Sequence, residues 1–196
     1  METESLDRLI ERVHSDLKRA YVARVARLNH IYGVRDTALK LAKIHGVDKK
    51  KVLLVSYLHD LTKHEELSVH ERLVLSTYDT MILETFPPTL WHAYSAAALA
   101  KTTYAIDDDD VLKAIESHTI GRADMSMLES ILFISDYIEP HRLYPDCVTA
   151  REMAFIDLDA AIHYAIEQSI RYHEKRANPV PRTAYEAKDH YERKMK

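Results

Sequence analysis

The sequence predicts an all-α fold on three observations. Only three of its 196 residues are glycine, apolar residues recur at spacings of three and four along most of the chain, and acidic or hydroxyl residues stand where such runs begin. Apolar residues make up 46% and charged residues 30%, the balance of an ordinary globular protein. The length suits one domain spanning residues 1–196, with a core of about 20–177 and a polar C-terminal tail over 178–196.

From Glu4 to Arg27 the residues are helix formers of mixed charge, and the pattern runs on through Leu28, Ile31, Val34, Ala38 and Leu41. One helix is expected there, carrying His30 toward the interior and ending at Gly46. Asp48 is the N-cap expected for the next helix, whose inward face reads Val52, Val55, Ser56 and His59, with Asp60 on the line through Leu53 and Ser56. Lys63 leans over the same face if the helix persists. Residues 64–86 hold one or two helical pieces around Leu67 and Leu73–Leu75. Pro87–Pro88 then start a helix that places Trp91 and His92 in its first turns, ahead of an alanine-rich run.

The acidic run Asp107–Asp110 reads as a helix cap, because free N–H groups and the helix dipole favour carboxylates there. The helix that follows carries Val111, Ile115 and His118 on one stripe. Ser126 and Glu129 form a capping-box pattern for another helix, whose line through Leu128 and Leu132 arrives at Asp136. A loop containing Pro145 follows. A long amphipathic helix is expected from Asp157 to about Ala177, stopped by Asn178–Pro181, with the tail beyond as a short exposed helix or a disordered segment.

Composition excludes several classes of function. The acidic N-terminus lacks an apolar leader, and no run approaches the ~20 apolar residues of a membrane span, so a cytoplasmic protein without a membrane partner is expected. A net charge of −4 argues against nucleic-acid binding. The lone Cys147 rules out an internal disulfide and has no partner that would make it a nucleophile.

Six residues fall on inward or helix-end positions: His30, His59, Asp60, His92, His118 and Asp136. Singly, each reads as a hydrogen-bonded core histidine or a capping carboxylate. Together they suit two transition metals about 3.5–4 Å apart, with the two oxygens of Asp60 as the natural bridge. Imidazole and carboxylate accept Fe, Mn, Co, Ni or Zn. Such a centre gives a metal-activated hydroxide near neutral pH for attack on phosphorus, with Lys63 and Arg122 as local cations for a polyphosphate. The other histidines without this context, His14, His45, His64, His70, His163, His173 and His190, read as solvated or core-edge residues.

The order His…His-Asp…His…His…Asp resembles the HD-domain metal-dependent phosphohydrolase superfamily. Finer segments resemble one branch, the bacterial HD-domain symmetrical bis(5′-nucleosyl)-tetraphosphatases. They are Arg27–Val34, Leu58–Lys63, Leu90–Ala93, His118–Arg122 and Ser135–Arg142. The resemblance implies an all-α HD-domain bundle around a di-metal site, commonly iron, and cleavage of diadenosine tetraphosphate into two ADP. It implies His30, His59, Asp60 and Asp136 on one metal, and Asp60, His92 and His118 on the other. Asp60, Lys63 and Arg122 are the catalytic candidates, and Lys63, Arg122 and Arg142 the substrate-binding ones.

This chain departs from the pattern at Ile31, Thr62, Ser130, Ser135 and the Ala123–Asp124 step without losing a ligand. Alternatives are an HD-domain phosphohydrolase acting on a nucleoside monophosphate or deoxynucleoside triphosphate, and a catalytically silent nucleotide-binding sensor. Monomer or homodimer stays open.

Overall fold

Local chemistry sets most of the helix boundaries in the computed structural model, which describes residues 4–196. The helices are α1 (Leu6–Ala20), α2 (Val25–His45), α3 (Lys49–Leu58), α4 (Leu67–Leu75), α5 (Met81–Thr85), α6 (Trp91–Tyr104), α7 (Asp109–Ser117), α8 (Met127–Ile138), α9 (Pro145–Ala154), α10 (Leu158–Glu174) and α11 (Arg182–Lys194). A 3-10 turn over Pro88–Leu90 leads into α6, and among the described residues there is no strand. The all-α expectation holds. No described helix is long and apolar enough to cross a membrane, and the first three residues of the acidic N-terminus lie outside the described residues.

The expected caps are in place. Gly46 closes α2 at φ 70, a left-handed conformation that glycine adopts without steric cost. Asp48 accepts from the Lys50 N–H at 2.7 Å and opens α3. Asp108 accepts from the Asp110 and Val111 N–H groups, so the acidic run serves as a cap, tied to α3 by Lys51 at 2.7 Å. Ser126 and Glu129 form both arms of a capping box on α8.

Four expectations need correction. The single helix read from Glu4 through Leu41 is two, broken between α1 and α2. Tyr21 sits at the break, 1% exposed, and its hydroxyl donates to the backbone oxygen of Asp60 at 2.6 Å. The Pro145 loop contains α9, with Pro145 in its first turn and Cys147, Ala150 and Ala154 buried. The tail is a helix, one of the two expected outcomes, but it is docked rather than wholly exposed, because α11 buries one face through Ala184, Ala187 and Tyr191. His70 is no edge residue: it is 4% exposed and its Nδ1 lies 2.7 Å from Ser95 Oγ.

Helix α2 packs on α3 and α8, and α8 also meets α7, which adjoins α6. These five helices surround the inward histidines. Helix α10 backs α8 and carries α9 and α11 on its other sides, while α1 covers α3 and α4 covers α6. Because Tyr191 is fully buried, Tyr191→Ala is expected to cost about 3–5 kcal/mol in urea unfolding, as for other buried aromatics. A change below about 0.5 kcal/mol, the range for a solvated surface position, would contradict the packing of α11.

Candidate metal centre

The ends of helices bring the six residues together. His59 is the C-cap of α3, Asp60 follows it in the turn, and His118 is the C-cap of α7. His92 lies in the first turn of α6, His30 faces inward from the second turn of α2, and Asp136 projects from the last turn of α8. His59, Asp60, His92 and His118 are each no more than 3% exposed.

The carboxylate of Asp60 stands between two pairs of imidazoles. Its Oδ1 is 3.5 Å from His92 Nε2 and 3.7 Å from His118 Nε2. Its Oδ2 is 3.8 Å from His30 Nε2 and 3.7 Å from His59 Nε2. Thus His30, His59 and Asp60 form one group able to hold a metal, and Asp60, His92 and His118 another, each with ligand atoms within 4.8 Å of one another. Asp136 joins the first side, with Oδ1 3.0 Å from His30 Nε2.

The donor set fits a metal. His59 and His118 present Nδ1 to the carbonyls of Ser56 and Ile115, at 2.8 and 2.7 Å, and His92 presents its Nδ1 to Thr89 at 3.0 Å. With Nδ1–H donating to a carbonyl, Nε2 is left with its lone pair, as a ligand requires. The Nε2 atom of His59 is buried without a hydrogen-bond partner, that of His30 faces the Asp136 carboxylate, and the oxygen and nitrogen set suits borderline divalent ions.

Electrostatics agree with neutral imidazoles at His59 and His92 beside an ionised carboxylate. Burial pushes His59 down to about 4 against the pull of Asp60. Burial alone would raise the Asp60 carboxyl, but His59, the His118 hydrogen bond, Lys63 and His92 outweigh it and hold the group well below the usual carboxylate range. His30 is also penalised by burial, yet the hydrogen bond and charge of Asp136 raise it.

The three cations differ in their surroundings. Lys63 is part-buried, with Nζ 2.8 Å from His92 Nε2, and burial lowers its pKa against Asp60 and Asp136. Arg142 donates to Asp136 Oδ1 at 2.8 Å with a third of its side chain exposed. Arg122 is anchored to the fold while 40% of its side chain stays exposed: Nε and Nη2 donate to the buried Glu129 at 2.7 and 2.5 Å, and Nη1 to the Ala123 carbonyl at 2.9 Å. The capping-box glutamate therefore also anchors this arginine.

Sequence reasoning passed over several contributors. Arg27 donates to Asp60 Oδ2 at 2.8 Å, although it reads as the end of a run of helix formers. Thr62 donates to the His92 carbonyl at 3.0 Å and meets Ser95 Oγ at 2.8 Å, tying the His-Asp turn to α6. The buried Glu139 lies 3.2 Å from His30 Nδ1, a role that its place in the Ser135–Arg142 segment does not assign.

Comparison with known proteins bears on the same residues. The HD domain family model matches residues 27–141, which contain all six. A Halalkalibacterium halodurans protein named symmetrical bis(5′-nucleosyl)-tetraphosphatase is 35% identical over 154 residues, 79% of this chain and 82% of that protein. A Bacillus subtilis protein of the same name is 33% identical over 79% of this chain and 83% of its own length. A Clostridium acetobutylicum crystal structure, described as a predicted HD superfamily hydrolase involved in NAD metabolism, is 29% identical with a TM-score of 0.86. That match covers 98% of this chain and 100% of the other.

His59 also sets a pH dependence. Its folded value of about 4 lies below the unfolded value near 6.5, so between these the unfolded chain binds the extra proton and stability falls as pH falls. His59 alone accounts for roughly 3 kcal/mol over that window. His30, shifted upward, acts in the opposite sense. Urea unfolding of chelator-treated protein should show the stability difference between wild type and His59→Gln shrinking as pH drops from 6.5 to 4. A difference independent of pH would contradict a buried neutral His59.

Proposed function

The chain belongs to the HD domain family, and on that footing we propose that it is a di-metal hydrolase cleaving diadenosine tetraphosphate symmetrically into two ADP. The observation that carries this reading is Asp60, whose two oxygens face separate pairs of imidazoles. Its substrate half is supported by the two relatives named symmetrical bis(5′-nucleosyl)-tetraphosphatases.

In this reading His30, His59, Asp60 and Asp136 would hold one divalent ion, and Asp60, His92 and His118 the other, with iron the metal that the family resemblance implies. Bound there, the ions activate water and offset charge on phosphoryl oxygens. The chain's own groups bind and orient the substrate. Lys63 holds an ammonium beside His92 and Asp60, where it balances negative charge entering the site. Arg142, fixed on one side by Asp136, has its exposed portion for a phosphate. Arg122 acts through the turn after His118, which its pairing with Glu129 holds against α8. Water adds across the central P–O–P linkage, so each half leaves as ADP.

Product analysis of diadenosine tetraphosphate incubated with iron-, manganese- or cobalt-loaded protein should give ADP as the sole nucleotide. AMP plus ATP would overturn the symmetrical cut, and turnover only of a monophosphate or deoxynucleoside triphosphate would move the activity to another nucleotide. Lys63→Met is expected to lower kcat/KM roughly 10²–10³-fold, the range for losing one preorganised charge-stabilising group. An unchanged value would remove Lys63 from the site's function.

A further inference from the structure

The four inward histidines are not held in the same way. His59, His92 and His118 each direct Nδ1 to the carbonyl three residues earlier. For His59 and His118, both at helix C-caps, those carbonyls belong to a last turn that lacks intrahelical partners. His30 has no such local acceptor, because it lies in the body of α2, where carbonyls are engaged in the helix ladder. Its Nδ1 instead meets a carboxylate 109 residues away, Glu139 Oε1, at 3.2 Å.

Glu139 is 2% exposed, so its placement is specific. Its Oε2 accepts from the His141 N–H at 2.8 Å and lies 2.9 Å from His141 Nδ1. The fold also makes room for it. Gly33 stands one turn beyond His30 on α2, and a Cβ there would come within 2.5 Å of Glu139 Oε2. The end of α8 thus grips both edges of one ring: Asp136 reaches His30 Nε2 and Glu139 reaches Nδ1.

We propose that Glu139 is the positioning residue of the centre, orienting His30 through a buried carboxylate admitted by Gly33, so that the His30 half of the metal site depends on a charge that the His92–His118 half lacks. A carboxylate behind a ligating imidazole fixes its tautomer and raises its basicity more than a neutral carbonyl does. The inference rests on the di-metal reading but not on the identity of the substrate.

The test is a calorimetric titration of metal-free protein with cobalt(II), which needs no turnover. Wild type should take up two ions, and His92→Ala, which damages the other half, identifies the His30 site. Glu139→Gln keeps the volume and an acceptor but removes the charge. It should weaken the His30 site about 10–100-fold and leave the other site and the melting temperature unchanged. Gly33→Ala, which favours the helix but intrudes on Glu139, should weaken the same site and leave the affinity of the other unchanged, and it keeps the test open if Glu139→Gln does not fold. Equal weakening of both sites, or of neither, would overturn the positioning role. Wild-type protein that binds no cobalt would remove the di-metal reading itself.

Discussion

A buried anion is the constraint around which this fold is arranged. Asp60 is 3% exposed and ionised, and an isolated carboxylate in that position would be held only at great cost. Four imidazoles surround its oxygens, Arg27 donates to Oδ2, and Tyr21 takes up the carbonyl of the same residue. All of these partners except His59, the C-cap of α3, come from other segments of the chain. The break between α1 and α2, the turn after α3 and the convergence of α6 and α7 all serve to bring them to one point.

Placing the ligands at helix ends solves two problems together. Free carbonyls in the last turns of α3 and α7 orient His59 and His118 with no further residue needed. The turn containing Asp60 is then fastened to α6 by Thr62 and Ser95, and Ser95 is in turn held by the buried His70. Thr62 is one of the positions at which the chain departs from the resembling pattern, and its hydroxyl has two buried partners to satisfy it. His30 is the exception, and its support comes from across the bundle.

Much of the centre was legible because its chemistry is written in residue types. His30, His59, His92, His118 and the two aspartates fall on inward positions of helices whose periods and caps are plain, so their convergence followed from the pattern. What escaped was of three kinds. Helices α9 and α11 bury alanine, cysteine and one tyrosine rather than a leucine stripe, so little apolar bulk marks their inward faces. The α1–α2 break was hidden because apolar residues continue at helical spacing through it. Glu129 and Glu139 each have a second role that spacing cannot reveal. Glu129 closes a capping box and also binds Arg122, which the sequence left free for phosphate. Glu139 ends α8 and also meets His30.

The most direct measurement of the central claim is anomalous diffraction from crystals of the metal-loaded protein. Two peaks are expected about 3.5–4 Å apart, on either side of the Asp60 carboxylate, one contacting His30 and His59 and the other His92 and His118. A single peak remote from Asp60, or none, would contradict a binuclear centre built on that residue.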